Sequence, residues 1–227
     1  MLTRVTITGA DDDVDPEDLH KLSREFPYVE WGILHSVKRA GKPRYPSAKW
    51  MGDLVCSLTG RPPLQLSAHL CGDYARAVLD GDDACLDTLV FQRHQVNGFK
   101  LPAPAFVEKA HRVPTEFVLQ VRSETELQPT ADVARCLGAD RASLLFDASG
   151  GRGVEATRWP ERPRGVAMGY AGGIRPSTVE SVLEAIGPVA EDFWIDMESG
   201  VRTGDKFDLV LVREVLEQAA PWVRRSN

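Results

Sequence analysis

The residues best equipped to do chemistry sit where short apolar stretches of this chain stop. In order they are Thr8 and Asp11, His35, His69 and Cys71, His94 and Asn97, Gln120 and Arg122, Asp147, Tyr170, and Asp196 with Glu198. Imidazole and carboxyl groups are common proton carriers in acid/base catalysis, and a planar guanidinium suits an anionic group. A scaffold without a ligand has little use for such a ring, because buried polar groups without partners are costly. Gathered at one opening, they point to a ligand site. Taken singly they say less. His35 and His69 would serve as packing histidines as readily as catalytic ones, and Glu30 reads as solvent-facing. Asp11, Asp12 and Asp13 read as a solvated acid cluster rather than a metal site, since one of three adjacent carboxylates would point away from an ion.

The elements that must position these residues are clearest near the C-terminal end. Val166 to Met168 reads as a strand running into a Gly172-Gly173 turn, and Phe193 to Met197 as a second strand ending at Ser199-Gly200. Between them Ser177 and Glu180 have the spacing of a capping box. Val179, Val182, Leu183 and Ile186 then form one apolar helix face, stopped by Gly187-Pro188. Strand, turn, helix and strand make a βαβ unit with parallel strands. The rest of the chain repeats it. Strands are expected at 4–8, 29–35, 64–70, 89–96, 116–121 and 142–146, the fourth oddly polar through Gln92, Arg93, His94 and Gln95. Helices are expected from Asp15-Pro16, from the cap Ser47 with Trp50, Met51, Leu54, Val55 and Leu58 inward, from Asp73, around Phe106, and at 133–137 and 208–219. The segment 149–164 is rich in Gly, Arg and Pro and offers at most one helical turn. Eight strands alternating with seven or eight helices predict an α/β fold, a single (β/α)8 barrel over residues 1–227 with an irregular segment in place of the sixth helix. A doubly wound sheet is the alternative. In either fold, ligands bind beyond the C-terminal ends of the strands.

Composition narrows the class. The chain has 227 residues, 43% hydrophobic and 26% charged, as in ordinary globular proteins. A net charge of −6, spread along the chain, argues against a nucleic-acid surface. Cys56, Cys71, Cys85 and Cys136 lack zinc-type or CxxC spacing and read mainly as small buried thiols. With no apolar leader and no run near the ~20 residues of a membrane span, a cytoplasmic protein without membrane contact is expected.

Several motifs together resemble one family. Ala171-Gly172-Gly173-Ile174 followed by a helix, then Asp196-Met197-Glu198-Ser199-Gly200-Val201, is similar to the AGGL and DVSSGVE pair of phosphoribosylanthranilate isomerase, a tryptophan-pathway (β/α)8 enzyme. Leu144-Leu145-Phe146-Asp147 with Gly150-Gly151-Arg152-Gly153, Pro43-Arg44-Tyr45, and Val5-Thr6-Ile7-Thr8-Gly9 resemble its LLD…GGTG, SPRYV and VKICG segments. The resemblance implies Asp147 as general acid of an Amadori rearrangement and Arg44 as the binder of a ligand carboxylate. It implies Asp196 near the substrate amine, and a phosphate cradled by Gly172, Gly173, Ser199 and Gly200. Two departures stand out. The family's basic cysteine is Thr8 here, and an aliphatic hydroxyl ionises too high to take a carbon-bound proton unaided. Glu198 stands beside the phosphate turn, where a carboxylate repels a dianion unless Arg175 or Arg202 offsets it.

Three functions follow from these residues. The first is an isomerase-like enzyme acting on a small phosphorylated or carboxylated metabolite, with Asp147 as acid and a base among His35, His69 and Asp11. His94, Arg122, Arg44 and Asp196 would help bind the ligand, with no cofactor and no metal, in a monomer or homodimer. The second is a barrel that binds a ligand or assembles without catalysis. The third is a metal-dependent aldolase or hydrolase using Asp11, Asp12, His35 and His69.

Overall fold

In a computed structural model, residues 1–98, 101–149, 156 and 158–224 are described. Eight strands pair side by side in chain order and close on themselves: β1 (Leu2–Thr8), β2 (Val29–His35), β3 (Leu66–Cys71), β4 (Arg93–Asn97), β5 (Glu116–Val121), β6 (Ala142–Asp147), β7 (Ala167–Ala171) and β8 (Phe193–Met197). Every neighbouring pair is parallel, the last being β8 with β1. The fold is a closed (β/α)8-type barrel. Its outer helices are α1 (Pro16–Glu25), α2 (Ala48–Ser57), α3 (Asp73–Leu79), α4 (Pro104–Ala110), α5 (Glu124–Leu137), α6 (Val179–Ile186) and α7 (Leu209–Ala219). Among the described residues no helix is long and apolar enough to cross a membrane.

Local chemistry explains most helix starts. The Asp15 carboxylate caps α1 at the Glu17 N–H with Pro16 in the first turn, Ser47 caps α2 at the Trp50 N–H, and Asp208 caps α7 at Val210 and Leu211. The start of α6 departs from the capping-box expectation. Thr178, not Ser177, is the N-cap residue, and its hydroxyl donates to the Gly173 carbonyl at 3.0 Å while Ser177 Oγ accepts from Arg175 Nε. The helix entry is thereby tied to the glycine turn. Between β6 and β7 the described residues hold no helix; Trp159 packs edge-on against Tyr170, whose hydroxyl donates to the Pro160 carbonyl at 2.9 Å. An irregular segment thus covers β7 where a helix would lie. The motif at 150–153 lies outside the described residues.

Strand parity decides which side chains enter the lumen, because successive residues of a strand face opposite sides. The register aligns Thr6 with Glu30, Thr8 with Gly32, His69 with Gln95, and Ala171 with Asp196. The oddly polar β4 is explained by this phase: Arg93, Gln95 and Asn97 point inward and His94 and Val96 outward. It begins at Arg93, not Leu89, which is 97% exposed. Glu30 does not face solvent; it is buried in the lumen, where it accepts from Arg93 Nη1 at 2.8 Å, Thr6 Oγ1 at 2.8 Å and Arg4 Nη1 at 2.9 Å. Arg93 also lies 3.3 Å from Glu116 and stacks 4.4 Å from the Trp194 ring. Val118, Leu145, Ala171 and Trp194 form a small apolar cluster in the lumen, separate from the larger core between strands and helices. Val55 is exposed rather than inward, as are Cys56 and Cys136, while Cys71 and Cys85 are partly buried.

Trp194 fits only because its neighbour on β7 has no side chain. A Cβ at Gly169 would overlap the indole ring. Gly169→Ala is therefore expected to cost about 1–3 kcal/mol, the usual range for overpacking, read from a urea melt against wild type. An unchanged midpoint would show that Trp194 moves aside freely.

Candidate functional site

The C-terminal mouth of the barrel holds a cavity of about 160 Å³. Its floor is made by inward residues of the strand ends: Thr8, His69, Gln95, Gln120, Asp147 and Asp196. Its rim is made by Gly172, Gly173 and Arg175 after β7, and by Glu198, Ser199 and Gly200 after β8. The left-handed backbone at Gly172 (φ 123°) and Gly173 (φ 67°) turns the chain sharply beneath the opening. The two rim turns are pressed together: a Cβ at Gly200 would overlap the Ile174 carbonyl oxygen.

Asp196 is the most perturbed carboxyl here. Its Oδ1 accepts from Thr8 Oγ1 at 2.7 Å and its Oδ2 from Gln95 Nε2 at 3.2 Å. Burial pushes its pKa up to about 7; the Thr8 and Gln95 hydrogen bonds pull it down, and the charges of Asp147 and Glu30 push it up. Asp147 accepts from Gln120 Nε2 at 3.0 Å and from Ser149 Oγ at 2.7 Å. Two carboxyl groups of one cavity are thus held by different partners. His69 is buried and uncharged at neutral pH, its pKa lowered to about 4 by burial, with Arg93 acting the same way. Its Nδ1 lies 3.2 Å from Gln95 Nε2 and 3.5 Å from Thr8 Oγ1, and its Nε2 is buried with no hydrogen-bond partner among the described residues.

Other expected site residues lie elsewhere. His35 points outward, edge-on to Phe91, and borders a different cleft with Tyr74 and Cys85. Burial brings its pKa down to about 4. His94 also points outward, with Nδ1 2.8 Å from Thr115 Oγ1 and its ring beside Phe91 and Phe117. Tyr170 shares that outer side. Asp11 is no free base: it accepts from the Arg44 N–H at 2.6 Å and from Arg202 Nη2 at 2.8 Å, outside the cavity lining. Arg44 is not open to a ligand either. It adopts a left-handed backbone (φ 76°) and gives its guanidinium to Glu198 at 2.6 Å and Asp205 at 2.7 Å. The charge of Glu198 is therefore offset by Arg44 rather than by Arg175 or Arg202. Arg122 follows β5 outside the lining, its N–H donating to Glu126 Oε2 at 2.7 Å. The ligand set of the metal-dependent alternative is dispersed: Asp12 caps the loop at Ser47, His35 faces the helices, and no group of three His, Cys, Asp or Glu suited to a metal occurs among the described residues. Gln95 and Ser149 are site residues the sequence reading missed. For Gln95 the signal was there, in the alternate inward positions of β4.

No protein-family model matches the chain, and no curated protein matches it in sequence. Solved structures do match in shape. N-(5'-phosphoribosyl)anthranilate isomerase from Pyrococcus furiosus superposes with a TM-score of 0.60 at 16% identity, covering 96% of this chain and 99% of that one. A truncated 3-deoxy-D-arabino-heptulosonate 7-phosphate synthase from Thermotoga maritima gives 0.57 at 13% identity, covering 97% and 86%. The phosphoribosyl anthranilate isomerase from Thermococcus kodakaraensis gives 0.52 at 16%, covering 96% and 99%. Likeness at these identities establishes the shared barrel.

Proposed function

We propose that this barrel is an enzyme that moves a proton on a small phosphorylated metabolite, as an isomerase or a related lyase, with Asp196 as the proton carrier. The observation that carries this reading is the buried Asp196 carboxyl facing the same cavity as Asp147, where burial pushes its pKa up to about 7. A group half-protonated at working pH both gives and takes a proton readily, which is what acid/base catalysis needs. Asp147, fixed by Gln120 and Ser149, would act as the second carboxyl of the pair. Gly172, Gly173, Ser199 and Gly200 would cradle the phosphate with backbone N–H groups, and Arg175 beside them supplies the positive charge. The base expected among His35, His69 and Asp11 is replaced in this reading by the aspartate pair.

The test is a panel of sugar phosphates that includes phosphoribosylanthranilate, assayed for turnover with wild type and Asp147→Asn. Turnover that falls at least a hundredfold in the variant supports the pair; turnover indifferent to the change removes Asp147 from the mechanism.

A non-catalytic binding barrel is the second reading, favoured by Thr8, whose hydroxyl is committed to Asp196. A thermal-shift screen separates the two. Any true ligand at a hundred times its Kd should stabilise the protein by about 2.7 kcal/mol. Stabilisation without turnover would favour binding alone.

A further inference from the structure

Three guanidiniums stand around the mouth, and their partners decide which of them a ligand meets. The Arg202 side chain is buried and spent on the Gly9 and Asp205 carbonyls and on Asp11. Arg175 is exposed, borders the cavity, and among the described residues hydrogen-bonds through its side chain to Ser177 Oγ at 3.1 Å. Arg44 is partly buried. Its Nη1 donates to Glu198 Oε1 at 2.6 Å and to Ser199 Oγ at 3.0 Å. Glu198 and Ser199 themselves border the cavity. The Nε and Nη2 edge of Arg44 is held by Asp205, at 2.8 and 2.7 Å. Glu198 thus occupies Nη1, the Arg44 donor shared with the cavity-bordering Ser199, which a ligand carboxylate would otherwise take.

We propose that Glu198 sets ligand specificity: it keeps Nη1 of Arg44 occupied and limits the site to ligands with one anionic group, held at Arg175 and the glycine turn, and an uncharged, hydroxyl-bearing remainder. This rests on the phosphate reading above and narrows it. The rest of the lining fits such a ligand. Gln95, Asn97 and Gln120 offer neutral amides, and Gln120 Oε1 is buried with no donor among the described residues, as an acceptor awaiting a hydroxyl would be. A second anion on the ligand would find Nη1 of Arg44 already paired with Glu198 and would lose its own hydration without gaining that partner.

The experiment is a matched pair of ligands measured by calorimetry: glycerol 3-phosphate, with one anionic group, and 3-phosphoglycerate, with two. Wild type is expected to bind the first at least tenfold more tightly. Glu198→Ala, and Glu198→Gln as its volume-preserving counterpart, should reduce that preference at least tenfold by gaining affinity for 3-phosphoglycerate. Adding Arg44→Gln should take the gain away. Variants that bind glycerol 3-phosphate yet keep the wild-type preference would overturn the role of Glu198. If wild type binds neither ligand, or if Arg175→Gln leaves glycerol 3-phosphate binding unchanged, the phosphate reading fails first and this inference falls with it.

Discussion

Glu30→Ala is expected to destabilise the protein by about 3–5 kcal/mol, because it strands Arg93 in the lumen without its main counter-charge. Arg93 is buried, and Glu30 is its closest carboxylate, at 2.8 Å against 3.3 Å for Glu116. Removing a whole ion pair costs much less than removing one partner, since no charge is left in a low-dielectric site. The double variant Glu30→Gln with Arg93→Met should therefore recover much of the loss. For a domain of this size the single change should lower Tm by roughly 10 °C. The acid limb follows from the same contacts. Burial pushes the Glu30 carboxyl up, but Arg93 and Arg4 with the Thr6 hydroxyl bring it below its ordinary value overall. A carboxyl whose folded pKa is depressed stabilises in full above its unfolded value of about 4.3, and that contribution is lost as pH falls through the folded value. The variant should lack this part of the acid transition. A loss under about 1 kcal/mol at pH 7 would mean that Glu116 already suffices for Arg93.

The same lumen explains which parts of the sequence were readable. The βαβ repeat was legible because most strands are apolar runs punctuated by turn residues, and β2, β5 and β8 lie where those runs predict. Strand phase was not legible in the same way. In a barrel both faces of a strand are buried, one by the lumen and one by helices, so hydropathy does not say which residues face inward. His35 and His94 read as mouth residues because they stand near the ends of expected strands, yet they are one position out of phase with Leu34 and Gln95. The lumen is itself polar, and that reverses the usual inference for Glu30 and Arg93. The phase was recoverable from β4 alone, where only an inward-pointing alternation accounts for Arg93, Gln95 and Asn97 on one strand. The ion pair of Arg44 with Glu198 joins residues 154 positions apart and had no local trace.

Asp196→Asn should separate stability from activity more clearly than any other change. An Asp whose folded pKa is raised binds its proton more tightly folded than unfolded. Its contribution is therefore fully present below the unfolded pKa of about 3.9 and is lost as pH rises through the folded value of about 7. At pH 8 wild type carries the cost of a buried carboxylate, which asparagine does not. The variant should then be the more stable protein at pH 8, and the difference should vanish near pH 4, where both side chains are neutral. Asparagine Oδ1 still accepts from the Thr8 hydroxyl, so the cavity wall keeps its shape on that side. Turnover should move the opposite way, falling by about 10²–10⁴, the share a positioned acid or base supplies, and a wild-type rate limb near pH 7 should disappear. Stability gained where activity is lost is the expected mark of a strained functional group. Urea melts at pH 4 and pH 8, run beside the turnover assay, give both readings on one pair of proteins. A difference between variant and wild type that is equal at the two pH values would show that Asp196 ionises as an ordinary carboxyl. The proton would then have to be carried by another group of the cavity.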